Sequence, residues 1–465
     1  MRREDGDAAG NFDLIVIGGG SAGSSIAAHA AQRGARVAMI EQWKVGGTCL
    51  NTGCDPTKTM VRAAEVLHLA REAGRFGLTV GEAAADWPAL MRHVDGVIDT
   101  IRGGDGDANV RAGGVALFKD HGRLRSPTEV SVGRRRLVAE RIVLATGAVN
   151  TTAPVDGLAE VGYITNDDAV ALPRQPCSLA IIGAGPVAVE FAQIFARLGT
   201  EVTLLGSPTL VLPKEEPQLV DALTAVLRRE GVRVETGLRI TRAWSADGQK
   251  WLAGDREGEA IEVAAEEVMV ATGRSPNVAD LGLEEAGVAY SERGVEIDAT
   301  LRTTAPTIWA AGDVTGIYPF THVASYQSQL LQHNLFADDA PRKADYRVVP
   351  WVTFTDPELA RVGLTESEAR AGGYDVLSAS QPFEAMPRAI TEGACDGLVK
   401  LVVDRASMQV LGGHILSTRA GELIGEIALV MRHRLPVSAL SDTIHPYPTR
   451  SEALFWAARS IGDRG

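Results

Sequence analysis

Cys49 and Cys54 stand with four residues between them in Gly47-Thr48-Cys49-Leu50-Asn51-Thr52-Gly53-Cys54-Asp55-Pro56-Thr57-Lys58, and Lys58 follows four positions after Cys54. Two thiols at this spacing can close a small disulfide ring or open as a dithiol, which is the chemistry of a two-electron redox centre. The stretch leads into a run from Thr57 to Ala73 that reads as helical, and residues about four apart share a helix face. A thiol at a helix N-terminus has its thiolate favoured by the helix dipole, which a reactive cysteine requires. Two buried structural cysteines, or half of a metal site, are the competing readings. Four cysteines in the whole chain, no Cys-x-x-Cys and no neighbouring His cluster speak against zinc, and no metal-ligating residue is expected. The surroundings of the pair decide between redox chemistry and structure.

A chain of 465 residues has room for about three domains. The net charge of −13 argues against nucleic acid as a partner. No run of about 18 apolar residues is present, so no membrane span is expected. Met1 to Asn11 is polar, which fits a tail better than a signal peptide. With few cysteines and no export signal, the expected compartment is a reducing cytoplasm, where a disulfide is more often catalytic than structural.

Two stretches elsewhere can hold dinucleotides. Phe12 to Ile17 is a short continuous apolar strand running into Gly18-Gly19-Gly20-Ser21-Ala22-Gly23, an Ala-rich helix to about Arg33, and a strand from Arg36 to Ile40 that ends at Glu41. Strand, Gly-x-Gly-x-x-Gly, helix, strand and acid make up the full dinucleotide fingerprint. Gly18, Gly20 and Gly23 allow the tight turn and the approach of a pyrophosphate to a helix N-terminus, and Glu41 is placed for an adenosine ribose. The second unit runs from Leu179-Ala180-Ile181-Ile182 through Gly183-Ala184-Gly185 to a helix ending near Leu198 and a strand from Glu201 to Leu205. Ala188 replaces the third glycine. Val268 to Gly273 closes that unit. Its strand is followed by Gly206, where an acid that would repel a 2′-phosphate is usual, so the nicotinamide choice leans to NADPH over NADH. Ser207, Pro208 and Thr209 offer no guanidinium for that phosphate, and Lys214 is the first cation beyond.

With the first fingerprint directly ahead of the cysteine pair, the chain resembles the pyridine nucleotide–disulfide oxidoreductases, the flavoprotein family of dihydrolipoamide dehydrogenase, glutathione reductase and mercuric reductase. The resemblance runs from Phe12 to Trp456. It implies an α/β fold with two Rossmann-like dinucleotide-binding domains and an α+β C-terminal dimerisation domain. The expected boundaries are 1–150 with 275–340 for FAD, 151–274 for NAD(P) and 341–465 for the interface of a homodimer. It assigns FAD to the first turn, with Thr48, Lys58, Gly122, Thr146, Gly147 and Asp313 around it, and NAD(P)H to Gly183, Gly185, Ala188, Gly206 and Gly273. Cys54 is then the thiolate nearer the flavin, Cys49 the thiol that meets substrate, and Glu190 the acid that pairs with Lys58. Without the resemblance, Glu190 reads as an ordinary surface acid.

The departures from the family carry most of the information about substrate. Ile444-His445-Pro446-Tyr447-Pro448-Thr449-Arg450-Ser451-Glu452 has Tyr447 where thiol–disulfide members carry a histidine that shuttles a proton, oriented by the residue matching Glu452. A phenol with a pKa near 10 is a poor base at pH 7, whereas imidazole titrates near neutrality. Tyrosine at this place is a feature of mercuric reductase, so a metal ion or other small molecule is the expected acceptor. Ser460 to Gly465 nevertheless lacks that enzyme's vicinal cysteine pair, and Cys177 and Cys395 are isolated. A dihydrolipoamide dehydrogenase variant using His445, and a redox-sensing or electron-transfer flavoprotein, remain alternatives. Asp55 is expected to disfavour the Cys54 thiolate.

Overall fold

A computed structural model of the chain describes residues 10–463, so residues 1–9 of the polar tail and the last two residues lie outside it. Its contacts divide the chain into two compact units. One comprises Met1–Thr59, Met91–Thr151 and Gly273–Asp345, and the other Met60–Leu90, Thr152–Thr272 and Tyr346–Gly465.

The first unit is built on a seven-stranded sheet in the order Val115–Phe118, Val37–Ile40, Gly10–Ile17, Arg135–Leu144, Glu129–Val132, Gly122–Ser126, with Ile308–Ala310 paired to Arg135–Leu144. Gly10–Ile17 pairs in parallel with both neighbours, so both of its faces must be covered. Ile15 and Ile17 pack with Leu124, Ile142 and Ile308. Leu14 and Val16 pack on the other side with Ile26, Trp309 and Leu331. This alternation explains why the strand reads as a continuous apolar run.

The second unit holds a four-stranded parallel sheet, Arg233–Glu235, Glu201–Leu205, Ser178–Ile182 and Glu267–Val270, and a separate antiparallel sheet of Arg239–Ala246, Gln249–Arg256 and Glu259–Ala265. Its C-terminal part is a five-stranded antiparallel sheet in the order Pro350–Thr353, Glu358–Gly363, Val410–Ser417, Leu398–Asp404, Val376–Pro382. Helices Ala420–Arg432 and Glu452–Gly462 close its core through Ile424, Ile427, Leu454, Ala458 and Ile461 against Val399, Leu401 and Val403. Among the described residues no helix is long and apolar enough to cross a membrane.

Candidate active site

The first glycine turn is dictated by close approach. Gly18 has φ +107°, and a Cβ there would lie 2.1 Å from the Ala145 carbonyl oxygen; at Gly23 it would lie 2.0 Å from the Gly18 carbonyl oxygen. Gly20 is different: the nearest heavy atom to its would-be Cβ is Gly47 Cα at 3.9 Å, so the space over it is open. Gly20 also precedes the helix Ser21–Gln32 without any side-chain cap, leaving the first N–H groups for an anion. Glu41 is buried at the end of its strand. Its Oε2 accepts from Gly19 N at 2.7 Å and its Oε1 from Trp43 N at 2.7 Å, so the carboxylate is fixed beside the turn.

Thr48, Ala148 and Asp313 gather around Arg274, which no sequence motif singles out. Its Nη2 donates to Thr48 Oγ1 at 3.1 Å and to the Ala148 carbonyl at 2.5 Å, and its charge partly offsets the burial that pushes the Asp313 carboxyl above the usual range. Arg274 Nε is buried with no partner among the described residues. Thr146 Oγ1 donates to the Asn277 carbonyl at 2.8 Å, and the Gly147 carbonyl accepts from Asn277 N at 2.9 Å. Gly122 opens a strand where a Cβ would press on Ile17 and Ile40, which is a packing position. An open glycine cradle, an uncapped helix N-terminus, a fixed acid and an unspent guanidinium N–H fit a flavin adenine dinucleotide.

The second turn repeats the backbone with less enclosure. Gly183 has φ +150°, and a Cβ would sit 2.3 Å from the Ala271 carbonyl oxygen. Gly185 has nothing within 4 Å of its would-be Cβ among the described residues and precedes Pro186–Leu198 without a side-chain cap. Ala188 is fully buried beneath Gly183. A Cβ at Gly206 would stand 3.0 Å from Ala184 Cβ, so the position lies against the turn. Gly273 falls in the first unit, where its carbonyl accepts from Thr151 N at 3.0 Å.

The two cysteines do not share a helix face. Cys49 belongs to the short helix Gly47–Asn51, and Cys54 is the first residue of Cys54–Arg71. Thr52 N and Gly53 N both donate to the Thr48 carbonyl, at 2.9 and 2.6 Å, and this break folds one sulfur back toward the other. Asn51 pins the loop by donating to the Val45 and Gly47 carbonyls and accepting from Arg102. A hydrogen bond from Cys49 lowers the Cys54 thiol to about 6 against opposing burial, with Thr321 and the Lys58 charge adding to the effect. The same hydrogen bond and burial push Cys49 up. Both directions favour the charge on Cys54 over Cys49. Asp55 opposes the Cys54 thiolate as expected, but its own carboxyl is raised by burial and its opposition is outweighed.

Lys58 falls in the first unit and Glu190 in the second, where Glu190 is buried and its Oε1 accepts from Phe354 N at 2.8 Å. In the C-terminal segment Tyr447 is 75 % exposed, and Glu452 Oε2 accepts from Thr449 N at 3.0 Å. Tyr447 and Glu452 line a cavity of about 430 Å³ with Gln381, Met386, Pro387 and Trp456. The His445 ring is engaged on both sides: Nδ1 meets the Thr443 carbonyl and Nε2 meets Glu426 Oε1, each at 3.0 Å. Among the described residues no three His, Cys, Asp or Glu side chains gather to hold a metal ion.

Two nucleotide turns and a helix-capping dithiol define a flavin disulfide oxidoreductase driven by NAD(P)H. Residues 12–328 match the family model described as pyridine nucleotide-disulphide oxidoreductase, and residues 349–458 match its dimerisation domain; the chain belongs to this family. It is 36% identical over 450 residues to a mercuric reductase of Staphylococcus aureus, covering 97% of this chain and 82% of that protein. It is 37% identical over 456 residues to a dihydrolipoyl dehydrogenase of Thermus scotoductus, covering 97% of each. Among solved structures, the Cu(II) complex of the HOCl-induced flavoprotein disulfide reductase RclA from Escherichia coli superposes with a TM-score of 0.87 at 30% identity, over 97% of this chain and 99% of that one.

Proposed function

We propose that the enzyme passes one electron pair from NAD(P)H to a metal ion or another small acceptor by way of Cys49 and Cys54. The observation that carries the reading is the placement of the two thiols: Cys54 opens the helix Cys54–Arg71, Cys49 stands on the short helix Gly47–Asn51 before it, and Thr52 N and Gly53 N both turn back to the Thr48 carbonyl between them. When bound, FAD supplies the two-electron relay between nicotinamide and disulfide. Gly18, Gly20, Gly23, Glu41, Thr48, Thr146, Gly147, Arg274 and Asp313 hold it, and Lys58 sets the charge beside it. Gly183, Gly185, Ala188, Gly206 and Gly273 serve NAD(P)H, with NADPH preferred because no acid stands at Gly206. Cys54 keeps the charge while Cys49 meets the acceptor, and the dithiol returns to the disulfide as the acceptor takes up the electron pair.

The homodimer belongs to the same proposal. Ile444 is 96 % exposed on the segment that bears Tyr447, and Leu429 and Ile390 are exposed in the same C-terminal part. A second copy covering this face would bring Tyr447 and Glu452 to its dithiol, with residues 341–465 as the interface domain, 1–150 and 275–340 holding FAD, and 151–274 holding NAD(P). The setting is a reducing cytoplasm.

Mercuric reductase among the relatives and Tyr447 in place of a histidine favour a metal ion. The pairing of His445 with Glu426 favours the second reading, a dihydrolipoyl dehydrogenase-like disulfide reductase. Anaerobically reduced holoenzyme offered Hg(II), Cu(II), lipoamide and glutathione disulfide separates them. Metal-ion turnover that falls about tenfold or more in Tyr447→Phe supports the first; lipoamide turnover lost in His445→Gln and kept in Tyr447→Phe replaces it with the second.

A further inference from the structure

The hydroxyl of Thr321 lies 3.3 Å from Cys54 Sγ, at the start of a helix whose first turns are packed in place. Thr321 is the first residue of the helix Thr321–Asn334, whose N-cap, Phe320, offers no side-chain cap. The rings of Phe320 and His322, its two neighbours in sequence, stack 5.3 Å apart and within 10° of parallel. Val323 and Ala324 are buried, and Gln327 Oε1 accepts from Gly312 N at 2.6 Å, tying the helix to the turn that carries Asp313. Cys54 in turn opens the helix Cys54–Arg71. Two helix N-termini, each with a positive dipole end, therefore converge on one sulfur, and a hydroxyl on the second is within reach of it.

We infer that Thr321 is the residue that holds the Cys54 thiolate, donating its hydroxyl proton to Sγ and thereby setting which of the two cysteines carries the charge. The inference rests on the assignment of Cys54 as the charged thiol in the proposed function. A neutral thiol could accept from or donate to Thr321 with little preference, but a thiolate can only accept, so the contact is worth more in the charged state. Of the other groups facing Cys54, Cys49 donates, Lys58 attracts and Asp55 opposes, and all three lie within five positions of it in sequence. Thr321 reaches Cys54 from a distant part of the chain, 267 positions away. It is a positioning residue: it acts through Cys54.

The test is the pH profile of alkylation of the anaerobic dithiol holoenzyme by iodoacetamide, read at each cysteine by fragment-ion mass spectrometry, for wild type, Thr321→Val and Thr321→Ser. Bound flavin per chain confirms that each variant is folded. In wild type, Cys54 is expected to react with an inflection at about 6. Thr321→Val, which keeps the shape and removes the hydroxyl, should raise that inflection by about one unit, a tenfold loss of thiolate below it. Thr321→Ser should restore it. If Thr321→Val titrates like wild type, or if Ser and Val shift alike, the inference fails while the Cys54 assignment stands. If Cys54 in wild type shows no inflection below about pH 8, the ordinary thiol range, both fail together.

Discussion

At Gly18 and again at Gly183 the chain leaves a buried parallel strand, turns through a backbone only glycine tolerates, and enters a helix with no side-chain cap, the second of which opens on Pro186 and so lacks that residue's N–H. Beyond the second strand the two units diverge. The first ends at Glu41, a buried carboxylate held by Gly19 N and Trp43 N; the second ends at Gly206, where a Cβ would already touch Ala184. The shared part is where a pyrophosphate would lie under the proposed function, and its geometry is set by would-be Cβ approaches of about 2 Å that admit no side chain at Gly18 and Gly183. The differing part would, under that proposal, read the ribose. Under the proposed function the first turn carries an acid for a ribose hydroxyl and the second does not.

Substitutions can break this contrast in graded fashion. The largest effect is expected from Gly23→Ala, whose Cβ would stand 2.0 Å from the Gly18 carbonyl oxygen. The protein should purify without flavin absorbance, although the second turn carries Ala188 at the matching place, fully buried, without harm. Glu41→Gln comes next. It replaces a carboxylate that accepts two backbone N–H bonds, and hydrogen bonds to charged groups contribute about 1.5–3 kcal/mol each, so FAD should dissociate about ten- to a hundredfold more readily in dialysis. Gly206→Asp should raise the ratio of NADH to NADPH kcat/KM about tenfold, the scale of one added charge-assisted hydrogen bond or one imposed repulsion. An unchanged ratio would mean that position 206 does not read the ribose. Ala188→Gly should do least, lowering stability by about 0.5–1 kcal/mol in urea through helix propensity while leaving both cofactors bound.

The elements that position these turns were legible because a parallel strand covered on both faces must be apolar throughout, as in Leu14 to Ile17 and Leu179 to Ile182. Glycine spacing then marked where helices begin, and the helix bounds at Leu198 and near Arg33 follow from Gly199 and Gly34 just beyond them. The cysteine pair was legible as a redox candidate, but placing it on one helical face was wrong. The Thr52-Gly53 break, with both N–H groups turned back to Thr48, interrupts the helix that their spacing suggested.

Arg274 and Thr321 were not legible at all. They reach Thr48 and Cys54 from 226 and 267 positions away, and neither lies in a motif that local periodicity could reveal. The strand Val376–Pro382 and the antiparallel sheet from Arg239 to Ala265 were equally hidden, because exposed polar residues interrupt their apolar pattern. Asp55 shows a further limit. Sequence proximity gave the sign of its effect on Cys54 correctly, but only the surrounding geometry shows that a hydrogen bond from Cys49 and the charge of Lys58 outweigh it.

The central claim is that electrons leave this protein through Cys49 and Cys54. Anaerobic titration of the holoenzyme with NADPH and with NADH, followed by absorbance, tests it most directly when wild type is run beside Cys49→Ala. Wild type should take up two electron pairs per chain, with a long-wavelength band that reports the Cys54 thiolate, and Cys49→Ala should take up one. If wild type and the variant both take up a single pair with the same spectrum, the dithiol is outside the electron path and the account is contradicted.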